Sequence, residues 1–139
     1  MRYLAVMCFC LVLFVSGCGE AGEEVLVPEL LSPPEGQVMD NGRSDCYEPI
    51  SWHFTWTEVP GAQRYQLYVE HREGGFAFIE VDTYHTEFEW CGEGHIPEES
   101  LTGWIWRVRA GTMEDWWEWS EERSFTVEPP ELDDSQGSG

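Results

Sequence analysis

From Ile50 onward, apolar and polar residues alternate with a period of two, the spacing of a strand with one face buried. Ile50, Trp52, Phe54 and Trp56 share a face opposite Ser51, His53 and Thr55. Val59-Pro60-Gly61-Ala62 reads as a turn, after which Tyr65, Leu67 and Val69 alternate with Gln66, Tyr68 and Glu70. Gly74-Gly75 breaks that run, and Phe76 to Val81 resumes it. Thr86, Phe88 and Trp90 alternate with Glu87 and Glu89, and Trp104, Trp106, Val108 and Ala110 with Ile105, Arg107 and Arg109. Phe125 and Val127 point inward from a last run, Arg123 to Val127. No segment has helical amphipathic spacing. Short strands separated by turn residues predict an all-β, antiparallel sandwich of about 100 residues and about seven strands.

The N-terminal pattern differs. Arg2 precedes an almost unbroken apolar run from Leu4 to Val15, about a dozen residues where a bilayer span needs roughly 20. The run closes on Val15-Ser16-Gly17-Cys18, which resembles the lipobox of a bacterial lipoprotein signal. That resemblance implies cleavage before Cys18 and acylation of its sulfur, with acyl chains holding the protein to a membrane at about 0.8 kcal/mol per buried CH₂. Gly19 after the cysteine, by analogy with enterobacterial lipoproteins, implies the outer membrane. The expected organisation is a signal over 1–17, an acidic tether over 18–27, the sandwich over 28–128 and a disordered acidic tail over 129–139.

Charge narrows the partners. The chain holds 27 Asp and Glu against 7 basic residues, all Arg, for a net charge of −20. Such a field opposes nucleic acid, whose binding needs neutralised phosphates, and opposes attraction to anionic headgroups. Of the five cysteines, Cys8 and Cys10 leave with the signal and Cys18 carries lipid. Cys46 and Cys91 remain, and export to an oxidising compartment makes a disulfide their expected fate.

Phe54-Thr55-Trp56, Gly61-Ala62, Tyr65-x-Leu67-x-Val69, Leu101, Trp104 to Ala110, and Trp119-Ser120-Glu121 before Phe125-Thr126-Val127 together resemble a fibronectin type III domain. Leu30 to Gly36 fits that family's first strand and turn, so the resemblance spans about Pro28 to Glu128. It implies that the strand after Cys46 and the strand before Cys91 are antiparallel neighbours, so that a bridge would contribute roughly 4 kcal/mol by chain entropy. One residue departs from the pattern. Trp104 stands where the family has the tyrosine of its corner hydrogen bond, and an indole is not expected to reproduce that geometry.

Glu114-Asp115-Trp116-Trp117-Glu118-Trp119-Ser120 occupies the expected loop between the last two strands. Three tryptophans there could stack on sugars or anchor a protein. Trp116-x-x-Trp119-Ser120 also resembles the tryptophan-serine box of cytokine-receptor fibronectin domains, which implies a ladder of Trp116 and Trp119 with Arg107 and Arg109. Trp117 is then the residue expected to be exposed for binding. Asp40 to Asp45 lacks the ligand spacing of a calcium loop and reads as an Asn-Gly turn. His53, His71, His85 and His95 are expected on the surface.

No nucleophile elbow, zinc-protease or phosphate-loop motif occurs, so the expected activity is non-catalytic, without cofactor or metal. The expected role is a lipid-anchored envelope module that binds an unidentified envelope protein. A glycan bound through the loop tryptophans is the alternative.

Overall fold

A computed structural model describes residues 26–43 and 48–131. Cys18, Cys46, the expected signal, most of the expected tether and the end of the expected tail lie outside the described residues. The strands are β1 (Leu30–Ser32), β2 (Gln37–Met39), β3 (Ile50–Trp56), β4 (Arg64–His71), β5 (Phe76–Thr83), β6 (Glu87–Gly92), β7 (Trp104–Gly111), β8 (Trp116–Trp119) and β9 (Arg123–Val127). A 3-10 turn, Glu98–Ser100, precedes β7.

One sheet has the order β1-β3-β6; the other has β2-β9-β7-β4-β5, with β8 also on β7. All pairs are antiparallel except β2 with β9. The architecture is a β-sandwich, and its strand order is that of a fibronectin type III fold with the first and last strands each divided in two. The first divides at a cis Ser32–Pro33 peptide, where the chain leaves one sheet for the other. The last divides at residues 120–122, between β8 and β9.

The period-two faces meet between the sheets. Ile50, Trp52, Phe54 and Trp56 on β3 face Tyr65, Leu67 and Val69 on β4, Trp104, Trp106, Val108 and Ala110 on β7, and Phe125 and Val127 on β9; all are buried. Trp52 packs edge-on to Trp104 and Phe125, with ring centroids 5.3 Å from each. Complete burial of each such ring contributes about 1.5–3 kcal/mol. Ile105, on the opposite face, is also buried, because it sits mid-sheet between Glu70 and Ser124.

The corner before β7 is a correction to the sequence expectation. Trp104 Nε1 donates to the Ser100 carbonyl at 2.6 Å, four residues upstream. The indole thus makes the corner bond, because the 3-10 turn brings that carbonyl to the ring. His71 is a second correction. It is buried, its ring centroid lies 5.0 Å from that of Trp104, and its Nε2 lies 2.7 Å from the Thr102 carbonyl. Its place at the end of β4, opposite Trp104, puts it under the β6–β7 connection.

Asn41 closes the end of the sandwich where the chain leaves β9. Only 2% exposed, it donates through Nδ2 to the carbonyls of Ile96 (3.0 Å) and Glu128 (2.9 Å). Its Oδ1 accepts from the Ile96 N–H at 2.6 Å. Gly42 beside it has φ +68°, and a Cβ there would meet the Glu48 carbonyl at 2.9 Å. The asparagine side chain ties three segments together.

Candidate functional site

Arg107 and Arg109 project from the outer face of β7. Tyr68, opposite Arg107 on β4, shares that face. What brings the tryptophans there is a bulge. Arg109 pairs with Trp119 and Gly111 with Trp116, so two steps along β7 match three along β8. The extra residue resets the alternation, and two side chains three apart come to one face. Close approach at this point requires Gly111, where a Cβ would lie 2.4 Å from the Asp115 carbonyl.

The result is an alternating stack of six residues. The Arg64 guanidinium lies 3.9 Å from the Trp116 ring centroid, and Arg109 lies 4.9 Å from Trp116 on one side and 4.4 Å from Trp119 on the other. Arg107 continues the series, 4.4 Å from Trp119 and 5.0 Å from Tyr68. A guanidinium over an aromatic face is attracted by the ring quadrupole, at about 0.5–1 kcal/mol when exposed and more when desolvated.

Hydrogen bonds hold the cations in register. Arg109 Nε donates to Gln66 Oε1 at 2.8 Å, and Gln66 Nε2 donates to Asp82 Oδ1 at 3.0 Å. Arg64 Nε donates to the Thr112 carbonyl at 2.9 Å. Glu122 takes Arg72 at 2.9 Å and Arg107 at 3.8 Å. Desolvation lowers the Arg109 pKa from its ordinary value, an effect that Asp82 and Glu80 oppose. The Tyr68 hydroxyl donates to Glu70 at 2.9 Å, and that bond pushes its pKa up. Ser120 fixes the far end of the hairpin: its N–H donates to the Val108 carbonyl at 2.8 Å and its Oγ accepts from the Val108 N–H at 3.0 Å.

The structure thus brings Arg107, Arg109, Trp116 and Trp119 together, in a strand where the sequence suggested a loop. Trp117 takes the other face. It is half-buried, packs against the core, and its Cη2 lies 3.8 Å from where a Cβ on Gly61 would stand. The bulge is what turns it inward. Arg64 and Tyr68 are ladder members that sequence reasoning missed. Tyr68 was legible as outward-facing, but its neighbours depend on strand pairing, which no local pattern records.

Cys91 is not paired. Among the described residues it carries a free, exposed thiol, and Cys46, its expected partner, lies outside them. The β3–β6 ladder sets Ser51 opposite Cys91. Among the described residues no group of His, Cys, Asp and Glu is placed to hold a metal.

No protein-family model and no curated protein matches the chain. Three chains among solved structures match it. One, titled "Crystal Structure of FN3tt", is 12% identical and covers 72% of this chain and 96% of its own, with a TM-score of 0.43.

Proposed function

We propose that this chain is a lipid-anchored bacterial envelope protein whose sandwich is a non-catalytic protein-interaction module. The lipobox-like Val15-Ser16-Gly17-Cys18 supports the anchor, through acyl chains on Cys18, and Gly19 supports the outer membrane. The observation that carries the interaction module is the ladder. Six stacked side chains make the β7–β8 hairpin a rigid, charged outer face, and such a surface binds with little ordering cost. Glu118 is exposed on that hairpin and favours a basic partner.

The glycan reading has less support. Trp116 and Trp119 are each contacted by two guanidinium groups, and Trp117 turns toward the core, so a sugar would have to displace an arginine to reach a ring.

Photo-crosslinking in intact cells from a probe at Glu118 tests the module, with radiolabelled palmitate testing the anchor. The expected results are one reproducible protein adduct, weakened by Arg109→Ala, and label lost in Cys18→Ala. An adduct absent from intact cells, with the protein folded and present, overturns the interaction reading.

A further inference from the structure

The topology fixes which end of the sandwich the tether enters. Leu30 pairs with Trp56, and the Thr57 N–H donates to the Glu29 carbonyl at 2.9 Å, so the chain arrives beside the end of β3. The connections over residues 57–63, 84–86 and 112–115 lie at that same end. Trp56 N–H donates to the Thr86 carbonyl (3.0 Å), Gln63 N–H to the Gly111 carbonyl (2.9 Å), and Met113 N–H to Gln63 Oε1 (2.9 Å). The β4–β5 turn and the exit from β9 lie at the other end.

Among the described residues, three of the five exposed large apolar side chains belong to the tether end: Tyr84 at 71% exposed, Met113 at 55% and Leu26 at 36%. The other two, Leu31 and Val38, lie on edge strands β1 and β2. We infer that this loop end rests on the bilayer, with Tyr84, Met113 and Leu26 against a zwitterionic phospholipid surface. The inference rests on the acylation of Cys18 proposed above.

Length decides the orientation. Cys18 and Leu26 are eight residues apart in sequence, a span of at most about 29 Å. The eight-residue strands β4 and β7 are themselves about 26 Å long. An inverted domain would need the tether nearly taut, whereas the loop-down domain needs no extension. Tyrosine suits the interface, with an apolar body and a hydroxyl for the headgroups. The exposed carboxylates of Glu58, Glu114 and Asp115 at this end select against anionic headgroups.

The test uses the full acylated chain, Cys46→Ser and Cys91→Ser, in phosphatidylcholine vesicles carrying a headgroup spin label. A fluorophore is placed at His85→Cys, in the loop end, or at Glu73→Cys, in the opposite β4–β5 turn. Quenching is expected to be several-fold stronger at residue 85, to fall on adding phosphatidylglycerol, and to fall with Tyr84→Ser plus Met113→Ser. Equal quenching at both sites overturns the orientation. Quenching at residue 85 that ignores the Tyr84 and Met113 substitutions overturns the apolar contact. Protein that does not float with the vesicles overturns the anchor, and this inference with it.

Discussion

Trp104 reaches back four residues to donate its indole N–H to the Ser100 carbonyl at 2.6 Å, closing the corner that leads into the central strand β7. Trp106, two residues on, is equally buried, yet its Nε1 has no hydrogen-bond partner. The pair separates a hydrogen bond from ring volume. Trp104→Phe and Trp106→Phe both shrink the core, but only the first leaves a carbonyl without its donor. We expect Trp104→Phe to destabilise by about 1 kcal/mol more than Trp106→Phe in urea unfolding. Equal losses would show the corner bond to be energetically silent.

Asn41→Ala removes three hydrogen bonds at a buried site and strands the N–H and carbonyl of Ile96 with the carbonyl of Glu128. The expected loss is about 2–4 kcal/mol, since unpaired buried polar groups cost roughly 1–3 kcal/mol each and part of the site can rehydrate. Asn41→Asp, which keeps the acceptor and loses both donors, is expected to recover little. Thermal unfolding of the two variants checks this, and a change within a few degrees would contradict it.

Arg109 lies between Trp116 and Trp119, so its removal interrupts the ladder at its middle. Arg109→Ala is expected to cost about 1–3 kcal/mol, from two cation–π contacts, the Gln66 bond and lost packing of its stem. A double-mutant cycle with Trp119→Leu isolates the stacking at about 0.5–1 kcal/mol. Strict additivity in that cycle would mean that Arg109 and Trp119 merely adjoin.

Glu35 accepts hydrogen bonds from the side chain and the backbone N–H of Ser124, and these hold its carboxyl below the ordinary carboxylate range. A folded-state pKa depressed in this way contributes stability above the unfolded pKa. That contribution disappears as pH falls through the folded value. Carboxyl carbon NMR should therefore place the Glu35 midpoint below that of other exposed glutamates, and Ser124→Ala should move it back up. A midpoint shared with the other glutamates would contradict the contact.

Cys91 is expected to react with a maleimide in the folded protein without prior reduction. Peptide mapping should find the adduct on Cys91 and no Cys46–Cys91 cross-link. A cross-linked peptide from unreduced protein would restore the disulfide.

Much of this fold was legible because each strand buries one face. Ile50 to Trp56 and Trp104 to Ala110 announced their inward residues by alternation alone, since a sandwich core accepts apolar side chains from whichever strand presents them. The candidate site was legible in part. Arg107 and Arg109 alternate outward on a regular strand, but Trp116 and Trp119 are three apart and have no common face on one. Only the bulge against Gly111 aligns them, and it turns inward the residue expected to be free, Trp117.

By itself, the sequence determined what is local: the apolar N-terminal run ending at Cys18, the acidic charge and the strand faces. Tertiary structure decided what depends on register. It set Ser51 opposite Cys91, and it bent a 3-10 turn so that Trp104 closes a corner meant for tyrosine. It also added Arg64 and Tyr68 to the stack and brought Glu29 and Leu30 beside the end of β3. Alternation says which way a side chain points. Which chain it meets there is set by hydrogen-bonded pairing between strands far apart in sequence, and no period along one strand encodes that.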